Sequence, residues 1–216
     1  MRKIILLLLV LLLSFGALPA LAGTETPSEA EKPFEYIWDK STGGLPIPKL
    51  YQIDETEILY GSGKNGKSIA TSGCGAVSIA MVGRYLSGSS YSPRDLFVWA
   101  ADNGYYRGNG FSYQDMLAMA EYCGFTGEWL SPAKYRIKKA LRAGKPVIAW
   151  MGAGLFTDGG HYIVLTGWSR DGMISVNDPN SEYFSTLAFS SESILHDARA
   201  IMICELPETG EETAEE

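Results

Sequence analysis

The chain has only two histidines in 216 residues, His161 and His196, so the search for a general base is short. It has three cysteines, Cys74, Cys123 and Cys204, none at metal-ligand spacing from another. A zinc module is thereby excluded, and no metal or other cofactor is expected. Positive charge is scarce: 18 Lys and Arg face 25 Asp and Glu, with no basic block. A net charge of −7 argues against nucleic acid as a partner, although part of the acidity belongs to the C-terminal tail. After the first residues no apolar run is long enough to cross a bilayer. No internal repeat is present, which excludes a solenoid.

What is there begins with an export pattern. Arg2 and Lys3 precede an apolar run over residues 4–13, and Ala20-Leu21-Ala22 offers small residues for cleavage before Gly23. This predicts a signal peptide at residues 1–22 and a secreted, extracellular mature chain without a stable membrane span. An uncleaved anchor is the alternative. Residues 23–44 are polar and aperiodic and read as a flexible segment, with a short pro-segment over a cleft as an open role. Residues 45–206 make one domain, and residues 207–216 an acidic disordered tail. Two of the cysteines could pair outside the cell. Cys123–Cys204 is then the favoured bridge, but simple packing of both is the preferred reading.

The chemistry centres on Thr71-Ser72-Gly73-Cys74-Gly75, followed by an apolar run to Leu86. A helix apolar nearly all round is a buried one. Its free N–H groups and dipole would meet the Cys74 sulfur and favour thiolate over thiol. Glycines on both sides would let a substrate backbone come close. Cys74 is therefore a candidate nucleophile; the plainer reading is a small buried cysteine that packs.

Punctuation defines three more helices. Ser92-Pro93 and Ser131-Pro132 each give an N-cap and a first-turn proline, and Ser112 with Asp115 resembles a capping box. Gly104, Gly124 and Gly144 close them. The aromatic, glycine-rich stretch 104–110 reads as an ordinary connection whose tyrosines cover the core edge, with cleft lining as the alternative. Strands follow at about residues 146–151, 162–168, 173–177 and 200–205, with a turn signal at Arg170-Asp171-Gly172 and a short helix near residues 190–196. Helices first and an antiparallel sheet after them predict an α+β domain of two layers.

A cysteine nucleophile needs a base and a group that orients the base. His161 follows Gly159-Gly160 and opens a strand, so it is the candidate base. His196 reads as a surface or structural histidine. The orienting group is Asp178 or Asn177. A hairpin about Asp171-Gly172 pairs residues whose numbers sum to an odd value, which puts His161 and Asp178 on one face. A bulge would reverse this, so Asn177 stays the alternative. The plainer reading of Asn177-Asp178-Pro179-Asn180 is a turn. For an oxyanion, the Cys74 N–H is one donor and the Gln52 amide a candidate second.

These residues resemble the papain-like cysteine peptidases in their order Cys, His, Asp. In detail they resemble a secreted, stand-alone relative of the bacteriocin-processing peptidases, family thirty-nine of the cysteine class. The matching text is Leu45-Pro46-Ile47-Pro48, Tyr51-Gln52-Ile53-Asp54, Ser72-Gly73-Cys74-Gly75, Gly144-Lys145-Pro146-Val147, Gly160-His161-Tyr162-Ile163 and Val176-Asn177-Asp178-Pro179. The resemblance implies a papain-like fold, a peptide or protein substrate, Cys74 as nucleophile, His161 as base, Asp178 as orienter and Gln52 as oxyanion donor. Gln52 departs from the pattern, because the bacteriocin processors carry the glutamine a few residues before the cysteine. The expected function is thus that of a secreted bacterial cysteine peptidase. The alternatives are a cell-wall amidase or endopeptidase of the NlpC type and a non-catalytic peptide-binding module. Leu206-Pro207-Glu208-Thr209-Gly210 matches a sortase signal, but only an acidic stretch follows it, so the tail reading is preferred.

Overall fold

A computed structural model describes residues 44–53 and 55–208. The expected signal peptide, the segment 23–43, Asp54 and the tail from residue 209, with the last two residues of the sortase-like string, lie outside the described residues.

Among the described residues, six α-helices and six strands alternate unevenly. Four helices come first: α1 (Ile69–Ser72), α2 (Cys74–Leu86), α3 (Pro93–Asp102) and α4 (Tyr113–Tyr122). Next are β1 (Thr126–Leu130), α5 (Lys134–Arg142), β2 (Val147–Met151), β3 (His161–Trp168) and β4 (Met173–Asn177). The chain closes with β5 (Ala188–Ser190), α6 (Ser191–Asp197) and β6 (Ala198–Glu205). The strands form one antiparallel sheet in the order β1-β6-β2-β3-β4-β5.

The caps behave as their residues demand. Ser92 and Ser112 each accept from the N–H three residues on, and Asp95 and Asp115 return the bond. Helix α2 is buried from Gly75 to Gly83, as its composition requires. Its one polar residue in that stretch, Ser78, donates to the Tyr162 carbonyl at 3.5 Å and so keys α2 to β3.

The α+β class is as expected, but the sheet is covered on both faces rather than one. One core joins α2, α3 and α4 to Ile148, Tyr162, Val164 and Met202. A second joins α5 and α6 to Val147, Ile163, Leu165, Ile174 and Ile201. Strands β2 and β3 are apolar at consecutive positions, the pattern of a strand buried on both sides.

Three local differences have physical causes. Strands β1 and β5 were not expected: β1 is an edge strand carrying Gly127 and Glu128, and β5 has three residues, so neither shows a strand period. Helix α5 starts at Lys134 with Ala133 as its N-cap, not at Ser131. A residue before proline is pushed into extended backbone, and the Ser131 carbonyl, just after β1, accepts from Arg136 at 2.8 Å. Finally, Cys74 is preceded by the helical turn α1, not by a loop.

Candidate active site

Two elements bring the reactive groups together. Cys74 is the first residue of α2, so its N–H belongs to the set with no acceptor inside the helix. His161 is the first residue of β3, which packs against α2. The His161 Nε2 stands 2.7 Å from Asp178 Oδ1, and both side chains are buried. Cys74 neighbours the same ring closely enough to favour its protonated form. With Nε2 taken by Asp178, Nδ1 is the ring nitrogen left for the sulfur.

The imidazole is poised as a cation. Burial, the largest influence, pulls its pKa down; hydrogen bonding to Asp178 and Cys74, and the charges of both, outweigh it and hold it at about 9. A carboxylate 2.7 Å away in a water-poor setting has this effect because the charged ring is the better partner.

Asp178 is fixed by its own turn. Its Oδ1 also accepts from the Asn180 N–H at 2.8 Å, and its N–H donates to Ser185 Oγ at 2.8 Å. This stretch is a turn, and one carboxylate oxygen both closes its Asx turn and meets His161. Asn177 points elsewhere. Its Nδ2 donates to the carbonyls of Ile47, at 3.1 Å, and Pro48, and pins the extended entry segment.

The parity that places Asp178 is reached by a different route from the expected one. Trp168 pairs with Ile174 and Gly167 with Ser175, an even sum next to the turn. A register shift between Leu165 and Gly167 then makes Leu165 pair with Val176 and Val164 with Asn177, an odd sum near the site. The even turn and the bulge cancel.

The loop over residues 152–160, which delivers His161, is tied down from α6. Asp197 is buried; its Oδ2 accepts from Leu155 N at 2.8 Å and its carbonyl from Gly152 N at 2.9 Å. His196 is exposed and caps the other carboxylate oxygen of Asp197 at 2.7 Å, a structural role far from the sulfur in character.

A cleft of about 440 Å³ opens at Cys74. Lys67, Thr71 and Ser72 form one wall, Gly108 to Phe111 a second, and Trp150, Gly160 and Tyr162 a third. The loop between α3 and α4 thus does two things. Tyr105 stacks on Trp99 and Tyr106 packs against Phe97, as a core cover should, while the next residues line the cleft. The glycine run was the available signal for the lining. Tyr162 Oη donates to the Phe111 carbonyl at 2.9 Å and joins that loop to β3.

The glycines flanking Cys74 serve packing, not substrate approach. A Cβ on Gly73 would lie 2.6 Å from Ile69 atoms, and one on Gly75 would lie 2.8 Å from Met116 Sδ and Phe111 Cδ2. The space beside both is filled by the protein itself.

Gln52 is buried beside the site without lining the cleft. Its N–H donates to the Pro179 carbonyl at 2.8 Å and its Nε2 to the Ala70 carbonyl at 3.1 Å, while Oε1 has no partner. It therefore braces the Asp178 turn against α1. Ser185 and Asn180, which fix Asp178, were not singled out from the sequence; the polar turn composition was their only signal. Among the described residues there is no group of side chains able to hold a metal ion, and no helix long and apolar enough to cross a membrane. All three cysteines are free thiols.

A cysteine at the start of a buried helix, beside an antiparallel sheet that supplies a histidine and a carboxylate, defines the papain-like cysteine peptidase fold. Residues 45–192 match the model of the Peptidase_C39 like family, and the chain belongs to that family. A search of the curated proteins returns no match. Among solved structures, the peptidase domain of Streptococcus ComA, a bi-functional ABC transporter, is 21% identical with a TM-score of 0.50. That match covers 63% of this chain and 93% of the other. A double glycine motif protease from an AMS/PCAT transporter, in complex with its leader peptide, is also 21% identical at a TM-score of 0.50, covering 77% of this chain and 96% of that one.

Proposed function

We propose that this chain is a secreted cysteine peptidase that hydrolyses peptide bonds through Cys74, His161 and Asp178. The observation that carries the reading is the buried 2.7 Å contact between His161 and Asp178, on a ring whose other side meets Cys74. In this mechanism the Cys74 sulfur attacks the peptide carbonyl and forms the acyl-enzyme. His161, protonated beforehand, gives its proton to the leaving amine. Water then attacks the acyl group, with neutral His161 taking its proton, and Cys74 is released. Asp178 holds the ring with Nε2 away from the sulfur and stabilises its cationic form.

The Cys74 N–H donates to the developing oxyanion. Gln52, buried between α1 and the Asp178 turn, is the residue to test as a second donor, through the amide hydrogen not given to Ala70. Gln52→Ala then lowers kcat and leaves Cys74 alkylation unchanged; a fall in both would reduce Gln52 to a brace. The deciding experiment for the whole reading is Cys74→Ala. Hydrolysis of a casein or peptide-library substrate should vanish while the fold, by circular dichroism, stays; retained hydrolysis would refute the assignment. Release through a signal peptide at residues 1–22 predicts a mature chain that begins at Gly23, readable by N-terminal sequencing of the culture supernatant.

A further inference from the structure

Among the described residues that line the cleft in front of Cys74, one carries a formal charge, Lys67, and acyl transfer has no use for it. Lys67 is rigidly rooted. Its N–H donates to the Tyr60 carbonyl at 2.8 Å, and its own carbonyl accepts from Leu59 at 2.8 Å and Tyr60 at 3.2 Å. Its ammonium is uncommitted: among the described residues it has no ion pair and no side-chain hydrogen bond, whereas Arg94, Arg107, Lys134 and Lys145 each hold a carboxylate. The surrounding chain is acidic overall, with a net charge of −7. Thr71, Ser72 and Asn109 add polar lining, while Phe111 and Trp150 add an apolar part.

We propose that Lys67 selects substrates that carry a carboxylate side chain, Asp or Glu, in the residues flanking the scissile bond. This rests on the reading of Cys74 as the nucleophile in that cleft. A backbone-anchored lysine at the rim meets the carboxylate on binding and in the transition state, and bases at the same position are repelled. Lys67 is only partly buried, so screening keeps the effect modest, at about tenfold in kcat/KM for Glu over Lys.

The test uses quenched-fluorescent peptides that differ only in carrying Glu, Gln or Lys at each of the positions flanking the cut. The wild-type chain should favour Glu at one position. Lys67→Gln should level that preference, and Lys67→Glu should turn it to Lys; raised salt should shrink both. The same ratios in all three proteins would overturn the proposal. A parallel set with isoglutamate linkages separates a side-chain carboxylate in a linear peptide from the α-carboxylate of a cell-wall peptide. Binding of the same peptides to Cys74→Ala, read by anisotropy, separates this proposal from the enzymatic reading. Selective binding without wild-type hydrolysis keeps the Lys67 assignment and ends the enzyme. Hydrolysis without preference does the reverse, and absence of both ends both.

Discussion

His161 and Asp178 are buried together, and each residue change around them has a separate signature. Asp178→Ala removes the group that orients the ring and should lower kcat/KM about 10³-fold, with Cys74 still present. Asn177→Ala, one position earlier, leaves the Ile47 carbonyl unpaired and should cost about 1–2 kcal/mol of stability while kcat stays within a few-fold. Kinetics and chemical denaturation on the two variants separate the roles. The ring also makes stability depend on pH. Its folded pKa of about 9 lies above the unfolded value of about 6.5, so the protonated ring stabilises the fold fully below about 6.5. That contribution, on the order of 3 kcal/mol, is lost as pH rises through about 9. Cys74→Ala removes one of the partners that raise the pKa. Denaturation midpoints between pH 6 and 10 should therefore fall less steeply in Cys74→Ala than in the wild type. At this scale the sequence was informative where residues are scarce: two histidines and one cysteine between glycines left few combinations. The orienting residue was legible only by luck of cancellation, because no residue pattern announces the bulge between Leu165 and Gly167.

At the scale of elements, α2 is a rod set into the protein with no slack at its start. A methyl on Gly73 would meet the backbone of Ile69 at 2.6 Å, which cannot give way without undoing α1. Gly73→Ala should therefore cost about 2–3 kcal/mol, read as a fall in melting temperature. Gly159→Ala is the control: nothing lies within 4 Å of its added carbon, and its stability should stay within about 0.5 kcal/mol of wild type. The opposite outcome at Gly73 would restore the idea that this glycine exists to admit substrate. Helix boundaries were legible where Ser and Asp could close a capping box, since that chemistry is local. The edge strands were not, because β1 gains its strand character from pairing with β6, 70 or more residues away in sequence. The same holds for the cleft: the loop at Gly108 to Phe111 and the Lys67 hairpin meet only after α2 and β3 have docked.

For the whole molecule, the three thiols all belong to the core on the α2 side of the sheet and differ in depth. Cys74 faces the cleft, Cys123 lies under α2, and Cys204 is on the inner strand β6 with no exposed surface. Burial pushes Cys123 up to about 11 and raises Cys204 further, so neither supplies thiolate near neutrality. In the folded protein at pH 7–8, iodoacetamide should add one adduct, at Cys74, and mass spectrometry after denaturation should find all three sites open. The rates carry more than the count. Cys204, fully buried in the core that the helical layer shares with the sheet, can react only when that layer leaves the sheet. Its labelling should track the global unfolding free energy and respond to denaturant with the full slope, whereas Cys123, at the edge of one core beside Ser89, should also label through smaller openings. Equal rates for the two would mean that the helical layer and the sheet unfold as a single unit.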